Sequence, residues 1–223
     1  MKNKTTFLSI SLLFLLFLSC LDDDIFDDNS ESQRTFTELP CQDTSDIICN
    51  TDSNSPFKDL YEELLNSNSA IIEESTFDVP VHAYSFEVSE LKQICSIGYQ
   101  SFHSDPNIQY EIKIYNHITN TIVYSGSHLF SQNAISYSPL SDYICLQPNT
   151  PYSILRIQNN VTYIEQTIGM MLNSPSYDFL PYENEHIKIL GSGVLDDSES
   201  IYTSLNILPM KTMLPKIDII FAE

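Results

Sequence analysis

The chain has 223 residues, 42% of them hydrophobic and 18% charged, and its 30 acidic residues against 10 basic ones give a formal charge of −20. A chain of that length can bury one sizeable core without a metal. A surface so negative repels phosphate backbones and anionic headgroups, which argues against nucleic acid as a partner and leaves cations, neutral glycans and other proteins.

At the N-terminus, Lys2 and Lys4 precede an apolar stretch from Phe7 to Leu18. The stretch is too short for a spanning helix, which needs about 20 apolar residues, and reads as an export signal over 1–19. It closes on Phe17-Leu18-Ser19-Cys20. That run resembles the bacterial lipobox, in which the cysteine thiol takes a diacylglycerol and the signal is cut in front of it. The alternative is an ordinary secretory signal or an uncleaved anchor, but Phe17 at the minus-three place fits a small-x-small cleavage site poorly. The resemblance implies that Cys20 carries acyl chains and that the membrane is a partner through them. Two or more chains hold a protein stably, at about 0.8 kcal/mol per buried methylene.

Asp22, Asp23 and Asp24 follow at once, with Asp27 and Asp28 behind them. The run resembles the surface-export tag of lipoproteins from Bacteroidetes-type bacteria, implying an outer-membrane protein that faces the exterior. The simpler reading is a spacer kept extended by self-repulsion. An EF-hand is disfavoured because the loop glycine and terminal glutamate are missing. Cleavage before Cys20 would remove Lys2 and Lys4 and leave 8 basic against 30 acidic residues, formally −22. Residues 20–55 are polar and poor in aromatics, the composition of a disordered acidic tether.

The four remaining cysteines, Cys41, Cys49, Cys95 and Cys145, form an even set. Outside the reducing cytosol they are disulfide candidates. Spacing suggests a local Cys41–Cys49 clasp and a long Cys95–Cys145 bridge, with Cys95 and Cys145 as buried thiols on strands the alternative. No C-x-x-C supports zinc.

Ser55-Pro56 followed by Phe57, Leu60, Tyr61, Leu64 and Leu65 predicts a short amphipathic helix, with 56–76 read as helix and linker. It would pack on the domain or dock on a partner. From Phe77 the period turns to alternation, with β-branched and aromatic runs bounded by Asn, Asp, Ser and Pro. Strands are predicted at 81–88, 94–102, 110–116, 121–125, 143–146, 152–158, 161–171, 186–190, 200–207 and 216–221. The fold class is therefore all-β, a β-sandwich or jelly roll over 77–223, preceded by the tether and one short helix.

Val81-His82-Ala83-Tyr84-Ser85-Phe86, Tyr110-Glu111-Ile112-Lys113-Ile114-Tyr115, Leu146-Gln147-Pro148-Asn149-Thr150-Pro151-Tyr152 and the closing Ile217-Asp218-Ile219-Ile220-Phe221 resemble the strands of a bacterial extracellular β-sandwich family of unknown function. The last strand departs from that family, showing Leu214-Pro215-Lys216 where Asn-Tyr-Trp is usual; the chain has no Trp. The resemblance implies a binding or spacer module.

Candidate sites are few. Asp196, Asp197 and Glu199 carry hard oxygen ligands for a structural calcium, or form a solvated turn. No other cofactor is expected. Tyr99, Tyr110, Tyr115 and Tyr124 would make a sugar-stacking platform if exposed, or core if buried. His82, His103, His117, His128 and His186 show neither H-E-x-x-H nor a pattern that pairs them with a serine or cysteine nucleophile. No enzyme is expected. The reading is a non-catalytic, surface-anchored lipoprotein that binds an extracellular glycan or a cell-surface protein. The alternative is an accessory subunit of an outer-membrane uptake or adhesion complex, docking through the helix near Leu60–Leu65.

Overall fold

A computed structural model describes residues 40–41, 48–49, 55–158, 167–196 and 208–222, all within a unit spanning Glu38–Glu223. Cys20, Asp22, Asp23, Asp24, Asp197 and Glu199 lie outside the described residues, as do the strand predicted at 200–207 and most of that at 161–171.

The protein is mostly antiparallel β-structure with one short helix. Helix α1 (Pro56–Ser67) starts where predicted: the Ser55 hydroxyl accepts the Lys58 amide at 3.0 Å and Pro56 occupies the first turn. Twelve strands follow among the described residues: β1 (Ile72–Ser75), β2 (Val81–Val88), β3 (Lys92–Tyr99), β4 (Tyr110–Asn116), β5 (Thr121–His128), β6 (Ser136–Leu146), β7 (Tyr152–Ile157), β8 (Met170–Asn173), β9 (Tyr182–Glu183), β10 (Ile187–Leu195), β11 (Met213–Pro215) and β12 (Asp218–Phe221). They form a six-stranded sheet in the order β5-β4-β7-β2-β10-β9, a three-stranded sheet β12-β3-β6 and a small sheet β1-β8-β11.

Alternation decides the layers. Tyr84 and Phe86 on β2, Ile112 and Ile114 on β4, and Tyr152 and Ile154 on β7 turn to one face, where they meet Ile94, Ile97 and Tyr99 of β3 and Leu146 of β6. The intervening Val81, Ala83, Leu155 and Ile157 form a second cluster with Leu208 on the opposite face. Both faces of β2 and β7 are therefore buried, which makes them the centre of the fold.

The helix and the segment read as its linker belong to the domain. Phe57, Leu60, Tyr61 and Leu64 are all buried, and Phe57 stacks on Tyr84 with ring centroids 4.9 Å apart. Burying each such side chain contributes about 1.5–3 kcal/mol, whereas a twelve-residue helix alone is marginal in water. Strand β1 falls inside that linker, placed by its register with β8. The N-cap is tied across the fold: Ser55 and Tyr137 both donate to the buried Asp218 carboxylate, Tyr137 at 2.8 Å. Burial raises the Asp218 carboxyl above its usual range, opposed by those two hydrogen bonds.

The disulfides differ from the pairing that spacing suggested. Cys41 bonds Cys145 and Cys49 bonds Cys95, with Cα separations of 6.0 and 5.7 Å. Cys145 lies between the core residues Ile144 and Leu146 and so faces away from the core, and Cys95 sits where the β3 register shifts between Ile94 and Ser96. Each N-terminal cysteine thus joins the β3–β6 pair. Spacing ranks loop closure in the unfolded chain, but native pairing follows which thiols the sheet holds within reach. Within the stretch read as a tether, Cys41 and Cys49 are each bonded to the sheet.

Candidate functional site

A cleft of about 280 Å³ opens where the small sheet meets the end of β3. Glu73 comes from β1, Tyr99 from the last position of β3, Gln100 and Phe102 from the following loop, Ile135 from the β5–β6 loop, Met170 from β8, and Lys216 from the step between β11 and β12. The two loops brace each other. The Ser101 amide donates to Ser131 O at 2.9 Å, and Gln100 Nε2 donates to Gln132 O at 3.0 Å.

One wall is polar. Lys216 Nζ lies 2.6 Å from Glu73 Oε1 and 4.6 Å from the Tyr61 ring centroid, while the Tyr61 hydroxyl donates to the same carboxylate oxygen at 3.2 Å. Burial and the Glu73 charge hold the Tyr61 hydroxyl protonated, well above its ordinary range. The other wall is apolar, with Ile135, Met170 and Phe102, the last 39% exposed.

Behind the cleft lies a buried polar knot. Tyr99 packs edge-on against Tyr110 and Phe130, and the Arg156 guanidinium lies 5.4 Å from its ring centroid and 5.5 Å from that of Tyr110. Burial raises the Tyr99 hydroxyl above its ordinary range and Arg156 pulls it back. Among the described residues that hydroxyl has no hydrogen-bond partner, and Gly169 stands where a side chain would run into it. Arg156, fully buried, donates to Nδ1 of His82 and to Thr167 O, and His82 Nε2 bonds Phe77 O at 2.9 Å. These bonds define a neutral ring with its proton on Nε2. Desolvation first, and then the adjacent Arg156 charge, hold His82 well below the ordinary histidine range.

The tyrosine platform is not at the surface. Tyr99 and Tyr110 are buried and Tyr124 half-buried in the core between the sheets, and Tyr115 is buried in the second cluster on the opposite face. Asp196 is exposed at the end of β10. Among the described residues no three His, Cys, Asp or Glu side chains converge as a metal site. His117 Nε2 does meet Ser153 Oγ at 2.7 Å, but that serine is fully buried and shares its hydroxyl with Ser85. The helix proposed as a dock has spent its apolar face on the core.

Sequence reading assigned Phe102 to a strand and, of the other lining residues, singled out only Tyr99, as part of a stacking platform. The signal was present in Ser101-Phe102-His103-Ser104-Asp105-Pro106-Asn107, a polar run that ends a strand. Glu73, Met170 and Lys216 carry no local signal, since only the third sheet brings them together. Among the described residues no helix is long and apolar enough to cross a membrane. No known family model matches this chain, and no curated protein matches it.

Proposed function

We propose that the chain is a lipoprotein anchored through Cys20 to the outer membrane and displayed to the exterior, and that its β-sandwich binds an extracellular glycan without turning it over. The observation that carries the reading is the two-walled cleft. Phe102 offers an exposed ring for the C–H face of a sugar, and Gln100, Glu73 and Lys216 offer hydrogen-bonding groups on the same hollow. Its volume, just under the usual lower bound of about 300 Å³ for ligand pockets, suits one sugar unit at the end or side of a chain.

The lining chemistry supports binding over catalysis. Among the described residues its one lining carboxylate, Glu73, is paired with Lys216, whereas glycoside hydrolysis uses two carboxyl groups flanking the bond. The negative surface favours neutral or cationic glycans over sulfated or phosphorylated ones.

The test is a glycan array probed with the protein from Leu21 onward and with Phe102→Ala. Binding to neutral glycans that falls about ten-fold or more in the variant, the equivalent of about 1.4 kcal/mol, supports the cleft. Failure to bind any sugar, together with co-purification of a fixed membrane partner, overturns the glycan reading in favour of an accessory subunit.

A further inference from the structure

Glu73 and Lys216 are the only charged side chains on the described lining of the cleft. The middle strand of the small sheet sets them side by side. β8 pairs β1 along one edge, with Glu73 opposite Leu172, and β11 along the other, and just past β11 the Lys216 amide donates to Met170 O at 2.8 Å. Lys216 Nζ then meets Glu73 Oε1 at 2.6 Å. Groups held on regular elements in this way keep their geometry better than groups on loops.

Tyr61 of α1 fixes the pair. Its buried ring has the ammonium 4.6 Å from its centroid, and its hydroxyl donates to the same Oε1 at 3.2 Å. One carboxylate oxygen is thus taken twice, while Oε2 has no hydrogen-bond partner among the described residues. Nζ has given one of its three protons to Glu73. The two side chains remain 31% and 26% exposed, so both unused valences are within reach of a ligand. Gln100, on the same hollow, has given Nε2 to Gln132 O and keeps its carbonyl oxygen as an acceptor.

What remains is one charged acceptor beside one charged donor, with no net charge between them. Hydrogen bonds to such groups are the strong ones. Other ligand chemistries fail to match. An anionic sugar brings its carboxylate against Glu73, and a cationic one brings its amine against Lys216, each without a free counter-charge. A trans amide points its N–H and C=O in opposite directions, so an acetamido group or a peptide meets one of the two and not both. A zwitterion has to part the pair before it can face each charge. Two hydroxyls on adjacent carbons, gauche to one another, lie about one hydrogen-bond length apart, and each both donates and accepts. One donates to Glu73 Oε2, its neighbour accepts from Lys216 Nζ, and the ion pair stays whole.

We infer, on the glycan-binding reading of this same cleft, that it selects a neutral hexose unit by a pair of vicinal hydroxyls held between Glu73 and Lys216, with Phe102 on the opposite wall against the C–H face of the ring. Two charge-assisted bonds made only to the diol set the size of the effect, about ten-fold or more in affinity when the pair is broken.

The test uses full-length protein in detergent on printed glycans that end in glucose, galactose or mannose, each in complete, 3-deoxy and 6-deoxy form. Loss of the 3-hydroxyl breaks both vicinal pairs of the ring without adding bulk. Loss of the 6-hydroxyl removes as many hydroxyls and leaves both pairs in place. For the sugar that binds, affinity is expected to fall about ten-fold or more on the 3-deoxy form and less than about two-fold on the 6-deoxy form. Glu73→Gln, which leaves Lys216 without its counter-charge, is expected to lose about ten-fold on the complete neutral form and to gain binding to the same sugar carrying a carboxylate at carbon 6. Equal binding to the complete and 3-deoxy forms, or an equal fall on the two deoxy forms, overturns the diol inference and leaves glycan binding standing; this arm needs no variant. Unchanged neutral binding in Glu73→Gln overturns it as well. No binding to any printed form overturns the glycan reading and the inference together.

Discussion

Acid should unfold this protein through His82. The ring is buried, receives a hydrogen bond from Arg156 on Nδ1 and bonds Phe77 O through Nε2 at 2.9 Å. Protonating Nδ1 would remove that acceptor and set an imidazolium against a guanidinium. In the unfolded chain the ring titrates near 6.5, while in the fold its pKa is held well below that. The unfolded state therefore binds the extra proton. The stability that neutral His82 supplies is present above about pH 6.5 and is lost as pH falls from there toward the depressed folded value. At about 1.4 kcal/mol per pH unit, the loss between about pH 7.5 and 5 is at most about 2 kcal/mol. His82→Gln keeps a donor and an acceptor but does not titrate. Urea unfolding followed by circular dichroism at both pH values should show wild type losing more stability than the variant on acidification, by up to about 2 kcal/mol. His117 and His128, also held low by burial, and Asp218, raised by it, contribute equally in the two proteins and cancel. Equal acid losses in wild type and variant would refute the reasoning.

Asp218 predicts the opposite sign. Its raised carboxyl contributes stability below about pH 3.9 that is lost as pH rises through the folded value, so Asp218→Asn should be at least as stable as wild type at neutral pH in urea melts. Asp218→Ala, which strips Ser55 and Tyr137 of their acceptor, should cost about 1–3 kcal/mol. Non-reducing peptide mapping should recover Cys41 linked to Cys145 and Cys49 to Cys95. Losing the second bridge, which closes 46 residues of separation, should cost about 4 kcal/mol in the chain-entropy model. Gly98→Ala should lower the unfolding free energy measured in urea by about 1–3 kcal/mol, because its Cβ would come 2.5 Å from the Tyr137 ring and 2.9 Å from Asp218 Cβ.

Local pattern made much of this fold legible. Val81–Val88 and Tyr110–Asn116 emerge with their predicted ends, since both are rich in β-branched and aromatic residues and are bounded by turn residues. Ser55-Pro56 marked the helix start for the same local reason. What escaped was set by tertiary contact. Strands β1, β9 and β11 are two to four residues long, too short for a period to register, and β6 extends back through Pro139 to Ser136 because β3 holds it there. Arg156 reads as one charged residue in a mostly apolar strand, and only the fold shows it fully buried against His82 and two tyrosine rings. The cleft draws on three strands from two sheets and on three connecting segments, so no single stretch of sequence could announce it.

The measurement that tests the account most directly is protease shaving of intact cells that express wild type or Cys20→Ala, with membrane fractionation and mass spectrometry of the N-terminal peptide. The account predicts an acylated Cys20 peptide, wild type in the outer membrane and digested from outside, and the variant lost from that fraction. A Cys20 peptide without acyl chains, or an acylated protein shielded from external protease, would contradict a surface-displayed lipoprotein that meets glycans outside the cell.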